Sequence, residues 1–89
     1  MLTRQLTIIN KLGLHARAAA KFVSTASRYG CEIHIERGAQ RINGKSIMGV
    51  MMLAASKGST LTLTVEGDDE DAAVAAIEEL VAGRFGESE

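Results

Sequence analysis

Apolar residues recur along this chain with two periods, and the switches between them divide it into seven elements. Leu2 to Ile9 is rich in Leu, Ile and Thr, with Leu2, Leu6 and Ile8 on one parity. That pattern predicts a strand with one buried face, interrupted at Arg4. From Ala16 to about Arg28 the period becomes helical. Ala19, Phe22, Val23 and Ala26 share one side, while Arg17, Lys21, Ser24 and Arg28 share the other. Arg28 suits the negative end of this helix, and Gly30 is expected to stop it in a left-handed conformation.

Strict alternation returns at Cys31 to Arg37, with Cys31, Ile33 and Ile35 inward and Glu32, His34 and Glu36 outward. Arg37-Gly38-Ala39 turns the chain into a short strand, Gln40 to Ile42, making a hairpin. Asn43-Gly44 ends it, and Ser46 is placed to cap a second helix from Ile47, with an apolar run through Ala55. Gly49 weakens this helix, so it should be short. Thr60 to Glu66 alternates again, with Leu61, Leu63 and Val65 inward. Gly67-Asp68-Asp69 is expected to turn and cap a last helix, whose buried stripe is Val74, Ile77, Leu80 and Val81 and whose end is Gly83. The three longer strands each keep a polar face. This predicts an α+β fold: a four-stranded antiparallel sheet with three helices on one face and solvent on the other.

Composition narrows the function classes. At 89 residues, 46% of them apolar, the chain is expected to form a single domain (residues 1–89), with residues 86–89 as a disordered tail. The net charge of −1, with no Trp, one Tyr and two Phe, argues against nucleic-acid and anionic-membrane partners. Cys31 is alone, which rules out a disulfide framework. No signal pattern or membrane-length apolar run is present, so a reduced, cytoplasmic monomer is expected.

The candidate chemistry centres on the first strand-to-helix junction, Lys11 to Ala20. Gly13 lets the backbone bend, and His15 stands just before the helix at Ala16. A helix start leaves backbone N–H groups without partners and carries the positive end of the dipole, so the N–H groups of Ala16 and Arg17, with the Arg17 guanidinium, could hold an anion. The imidazole is itself a nucleophile, so a phosphoryl group could sit on the ring. On local grounds alone, the plainer reading of His15 as an idle loop residue stays open. Ser46 reads first as a helix cap, and a phosphate there would be tolerated by the helix start. Met48, Met51 and Met52 are spaced so that at least one lies outside the core, forming with Leu14 and Ile47 an apolar rim near His15. His34 reads as a surface residue. It makes no convincing metal pair with His15, and no metal or cofactor is implied.

Taken together, Gly13-Leu14-His15-Ala16-Arg17 and Lys45-Ser46-Ile47-Met48-Gly49-Val50-Met51 resemble the active-site and regulatory-serine segments of the histidine phosphocarrier family, HPr, of bacterial phosphoenolpyruvate-dependent phosphotransferase systems. The resemblance covers essentially the whole chain. It implies a βαββαβα open-faced sandwich. His15 would take a phosphoryl group on Nδ1 from phospho-enzyme I and pass it to an enzyme IIA-type protein, with Arg17 steadying the group. Ser46 would be a target for an HPr kinase/phosphorylase. Leu14, Ala20, Ile47, Met48 and Met51 would dock the partners. Such a protein is a carrier in a relay and not itself an enzyme. The wording from Asn10 to Ala20 looks closer to the nitrogen-related branch, NPr. One departure is Ala18, where the family usually has proline. The alternative class is a non-catalytic protein-binding module of the same fold.

Overall fold

The alternation of side chains along each strand decides which face of the sheet is buried, and the computed structural model, which describes residues 1–89, follows it closely. The elements are β1 (Leu2–Thr7), α1 (Ala16–Ala26), β2 (Glu32–Arg37), β3 (Gln40–Asn43), α2 (Ile47–Met52), β4 (Thr60–Glu66), α3 (Glu70–Ala82) and a 3₁₀ turn, Arg84–Gly86. The four strands form one sheet in the order β1-β4-β2-β3, antiparallel throughout. β4 is central, pairing Leu61 with Leu6 on one side and Leu63 with Ile35 on the other. Leu6, Ile33, Ile35, Leu61, Leu63 and Val65 are buried, while the residues between them are exposed or half-buried. One face thus carries the core and the other remains polar, the α+β open-faced arrangement expected from the pattern.

The three helices supply the other half of the core. α1 packs against both α2 and α3, while α3 also lies on β1 and β4. Phe22 of α1, Val50 of α2 and Ile77 of α3 are essentially inaccessible, and together with the strand residues they belong to one cluster of 21 buried side chains. The β2–β3 hairpin closes through Gly38 and Ala39, with Arg37 opposite Gln40. Gly38 has φ +59°, the positive value that a tight hairpin needs at its first loop residue.

Several boundaries differ from the sequence expectation. α1 ends at Ala26, two residues early, because the Arg28 and Tyr29 amides bond to Thr25 and Ala26 three residues back, which tightens the last turn. Gly30 is not left-handed. Its N–H is taken by Asp69 Oδ2 at 2.9 Å, and that of Cys31 by Asp69 Oδ1 at 3.1 Å. Asp69 is therefore committed across the molecule and does not cap α3 with its side chain, as its position before that helix suggested. α2 stops at Met52, where Ala54 turns left-handed (φ 49°) and Arg37 Nη1 bonds the carbonyl of Leu53 at 2.9 Å. Leu80 is only half-buried on α3, whereas Val74, Ile77 and Val81 are buried.

The largest difference is at the C-terminus. Residues 86–89, expected as a disordered tail, are folded back across the molecule. Phe85 is buried at 0% exposure and anchors the segment, and Lys21 Nζ bonds the Phe85 carbonyl at 2.6 Å. The Lys11 amide bonds the Glu89 carbonyl at 2.6 Å. An aromatic side chain driven into the core supplies the burial that orders the last four residues.

Candidate functional site

The loop from Asn10 to Leu14 is built to deliver His15 to the start of α1. Asn10 is fully buried, and its Nδ2 donates to the Gly13 carbonyl at 2.8 Å while the Gly13 amide returns a bond to the Asn10 carbonyl at 3.2 Å. Gly13 turns with φ +66°, a conformation that strains any residue with a Cβ. The Leu14 amide then bonds the Ala55 carbonyl at 2.8 Å, fixing the loop to the segment after α2.

His15 comes next, in extended conformation (φ −71°, ψ 176°), as the N-cap of α1. Its carbonyl accepts the Ala19 amide at 2.8 Å, the first bond of the helix. The N–H groups of Ala16, Arg17 and Ala18 are therefore the donors left over at this end. The His15 ring makes no cap bond, and no acidic residue occupies the first turn of α1, so no side chain of the helix's own first turn takes up these donors. This helix start can receive an external anion.

The ring itself is partly exposed and is held at Nε2 by the carboxylate of Glu87. The other carboxylate oxygen, Oε1, accepts from Asn10 Nδ2 at 3.0 Å. Hydrogen bonds from His15 first and Asn10 second hold the Glu87 carboxyl below its ordinary range. An open groove of about 870 Å³ runs alongside, lined among others by Lys11, Leu12, His15, Arg17, Lys21 and Glu87. Arg17 is exposed, and no ion pair engages its guanidinium. Ala18, where proline was the expected residue, has a leftover N–H and is wholly buried, so Ala satisfies the same backbone position.

Ser46 caps α2 as expected, its Oγ accepting the Gly49 amide at 3.1 Å. It is not adjacent to His15. A Cβ on Gly44 would meet Phe22, and Lys45 Nζ bonds the Tyr29 carbonyl at 2.6 Å, so Ser46 lies toward the far end of α1. α2 and the residues after it run back from there to Leu14. Ile47, Met48, Met51 and Met52 are exposed along that path, Met48 at 72%.

The expected docking set needs one correction. Leu14 is buried at 5% exposure and belongs to the core, because its amide is pinned to Ala55 and its side chain turns inward. The exposed apolar residue at this end is Leu12, at 65%. Ala20 is exposed on α1. Glu87, Asn10 and Leu12 were not singled out from the sequence. The signal for Glu87 was available in Phe85, a lone aromatic near an otherwise polar terminus.

The remaining candidates stay apart from the site. His34 sits mid-strand opposite Asn43 and Thr64 on the polar face of the sheet. Cys31 is buried, and that burial, with Asp69 beside it, pushes its thiol up and leaves it unreactive. No three His, Cys, Asp or Glu side chains converge as metal ligands. No helix is long and apolar enough to cross a membrane.

A histidine ring at a helix start, with unengaged backbone donors and a free guanidinium, can receive a small anion. Comparisons with known proteins identify the family. The family described as "PTS HPr component phosphorylation site" matches residues 2–83. The chain is 57% identical over 86 residues to the phosphocarrier protein HPr of Pseudomonas aeruginosa, covering 96% of each. It superposes on the crystal structure of HPr-C-His from Thermoanaerobacter tengcongensis with a TM-score of 0.96, at 45% identity and full coverage of both chains. A structure described as an HPr dimer from that organism matches at a TM-score of 0.79 and 46% identity, covering 98% of this chain and 100% of that one. The chain belongs to the HPr family, and its role is that of a phosphocarrier in a phosphotransferase system.

Proposed function

We propose that His15 is the residue that carries the phosphoryl group, on Nδ1. The supporting observation is its position: a ring at the N-cap of α1 that does not cap, next to N–H donors that nothing else uses. The donors of Ala16 and Arg17 hold the phosphoryl oxygens, and the Arg17 guanidinium neutralises their charge. Residues 1–89 act as one carrier domain. The protein is a substrate at each step of a relay, not an enzyme. It is loaded by an enzyme I-type donor and unloaded by an enzyme IIA-type acceptor, in the cytoplasm and as a monomer.

Leu12 and Ala20, with Ile47, Met48 and Met51 along α2, give the partners an adaptable apolar surface. Ser46 is the regulatory position, where an HPr kinase/phosphorylase would place charge at the edge of that surface. The sugar branch and the nitrogen-related branch share this chemistry and differ in which IIA-type acceptor they serve.

Incubation with phosphoenolpyruvate and enzyme I should give an acid-labile, base-stable phosphate. Offering the loaded protein to each acceptor in turn identifies the branch. His15→Ala should abolish labelling, and a label that persists in this variant overturns the assignment.

A further inference from the structure

Glu87 is placed by a chain of contacts too specific for a loose terminus. α3 ends at Ala82, and beyond it Arg84 (φ 57°), Phe85 (φ 55°) and Gly86 (φ 79°) run consecutively in left-handed conformation. Two of these carry side chains, one of them a bulky aromatic, so the turn is strained and must be held by its surroundings. Burial of Phe85, the Lys21 bond to its carbonyl and the Lys11 bond to the Glu89 carbonyl hold it. The reversed chain puts the Glu87 carboxylate between two partners, His15 Nε2 and Asn10 Nδ2. Asn10 is itself buried and bonded to Gly13.

We propose that Glu87 is a positioning residue for phosphoryl transfer: it fixes the His15 ring with the proton on Nε2, so that Nδ1 presents its lone pair to phosphorus. The inference rests on the carrier reading of His15. An ionised carboxylate only accepts hydrogen bonds, so the nitrogen facing it must carry the hydrogen. The other nitrogen of the neutral ring is then unprotonated. The depressed Glu87 carboxyl agrees with this, since the lowering favours its ionised, accepting form.

During loading, the Nδ1 lone pair forms the N–P bond while the donor's bond to phosphorus breaks and its electron pair leaves with the donor. The Nε2 proton stays in place, and the positive charge that develops on the ring faces the Glu87 carboxylate. On delivery the N–P pair returns to Nδ1, and the ring leaves as neutral imidazole because Nε2 has kept its proton. The carboxylate touches neither phosphorus nor the transferring oxygens. It acts through the ring, as the buried aspartate does in a Ser-His-Asp triad.

The test uses the full chain and Glu87→Ala, Glu87→Gln and Glu87→Asp. Long-range ¹H–¹⁵N spectra of free protein read the His15 tautomer directly, and single-turnover loading from phospho-enzyme I reads the rate. The unaltered protein should show the Nε2–H form. Glu87→Ala should give a mixed tautomer and load about 10-fold or more slowly, the scale typical when a residue orienting a histidine is lost. Glu87→Gln keeps an acceptor oxygen without the charge, so it should hold the tautomer yet load slowly. Glu87→Asp should recover part of the rate. An Nδ1–H ring in the unaltered protein, or an unchanged tautomer or unchanged loading rate in Glu87→Ala, overturns the proposal. If the unaltered protein takes up no phosphoryl group at all, the carrier reading fails instead, and the tautomer comparison alone decides whether Glu87 sets the ring.

Discussion

At the scale of single residues, Gly13 has the least freedom to change. Its φ of +66° favours glycine, and a Cβ there would lie 2.4 Å from the Ala55 carbonyl oxygen and 2.9 Å from Ser56 Cα. Both obstacles are backbone, so no side chain can swing aside. Gly13→Ala should destabilise the protein by about 2–4 kcal/mol, combining left-handed strain with overpacking. Because relief requires the loop to lift from Ala55, His15 should also shift from the start of α1 and phosphoryl uptake should fall. Urea unfolding and the loading assay check the two effects separately. The place of His15 and Arg17 at a helix start was legible in the sequence because that setting is local: a glycine bend, then a helical period. Glu87 was not, because it meets His15 across a separation of 72 residues. The lone aromatic Phe85 signals burial near the terminus, but the turn that returns Glu87 uses left-handed backbone at Arg84 and Phe85, a conformation neither residue type announces. Leu14 was misplaced for a related reason. Hydrophobicity marks a residue as apolar without saying whether a nearby loop bond turns it inward.

At the scale of elements, α2 depends most on its cap. It has six residues, only Val50 of them buried, and three of its exposed residues are Met. A helix this short gains little from propagation, so the bond from the Gly49 amide to Ser46 Oγ carries unusual weight. Ser46→Ala should cost about 0.5–2 kcal/mol by urea denaturation. Ser46→Asp should retain the fold, since a carboxylate caps as well and suits the positive helix start. If Ser46 is regulatory, the same variant should slow loading from enzyme I by setting negative charge beside the exposed Ile47 and Met48. An unchanged rate would leave the serine a cap alone. Strand faces and helix order were readable because period-2 and period-3.6 patterns reflect a single buried side. Helix ends were less so. α2 stops where a residue distant in sequence, Arg37, captures the carbonyl just beyond its last turn, and the tightened turn that ends α1 leads to Gly30, whose N–H Asp69 takes.

At the scale of the whole molecule, Asp69 ties the start of α3 to the entry of β2, two segments separated by 38 residues at Cys31. Hydrogen bonds from the Gly30 amide first, and then from the Cys31 side chain, hold its carboxyl below the ordinary Asp value of 3.8. Unfolding returns Asp69 to its ordinary affinity for protons, so between 3.8 and its lower folded value the unfolded chain binds more protons than the folded one. The charged carboxylate's contribution is therefore complete above 3.8 and is lost as pH falls through the folded value. Asp69→Ala removes that contribution at every pH. The stability gap between the unaltered protein and Asp69→Ala should be constant from neutrality down to the ordinary carboxylate range and narrow only below it. Glu87 is depressed as well, but it sits at the other end of the fold and shares no partner with Asp69, so its contribution should cancel in the comparison. Urea unfolding of both proteins at stepped pH values measures the gap. A gap that narrows well above 3.8, or one that does not change with acid at all, would show that the Asp69 carboxylate does not couple α3 to the sheet in the way its two backbone bonds require.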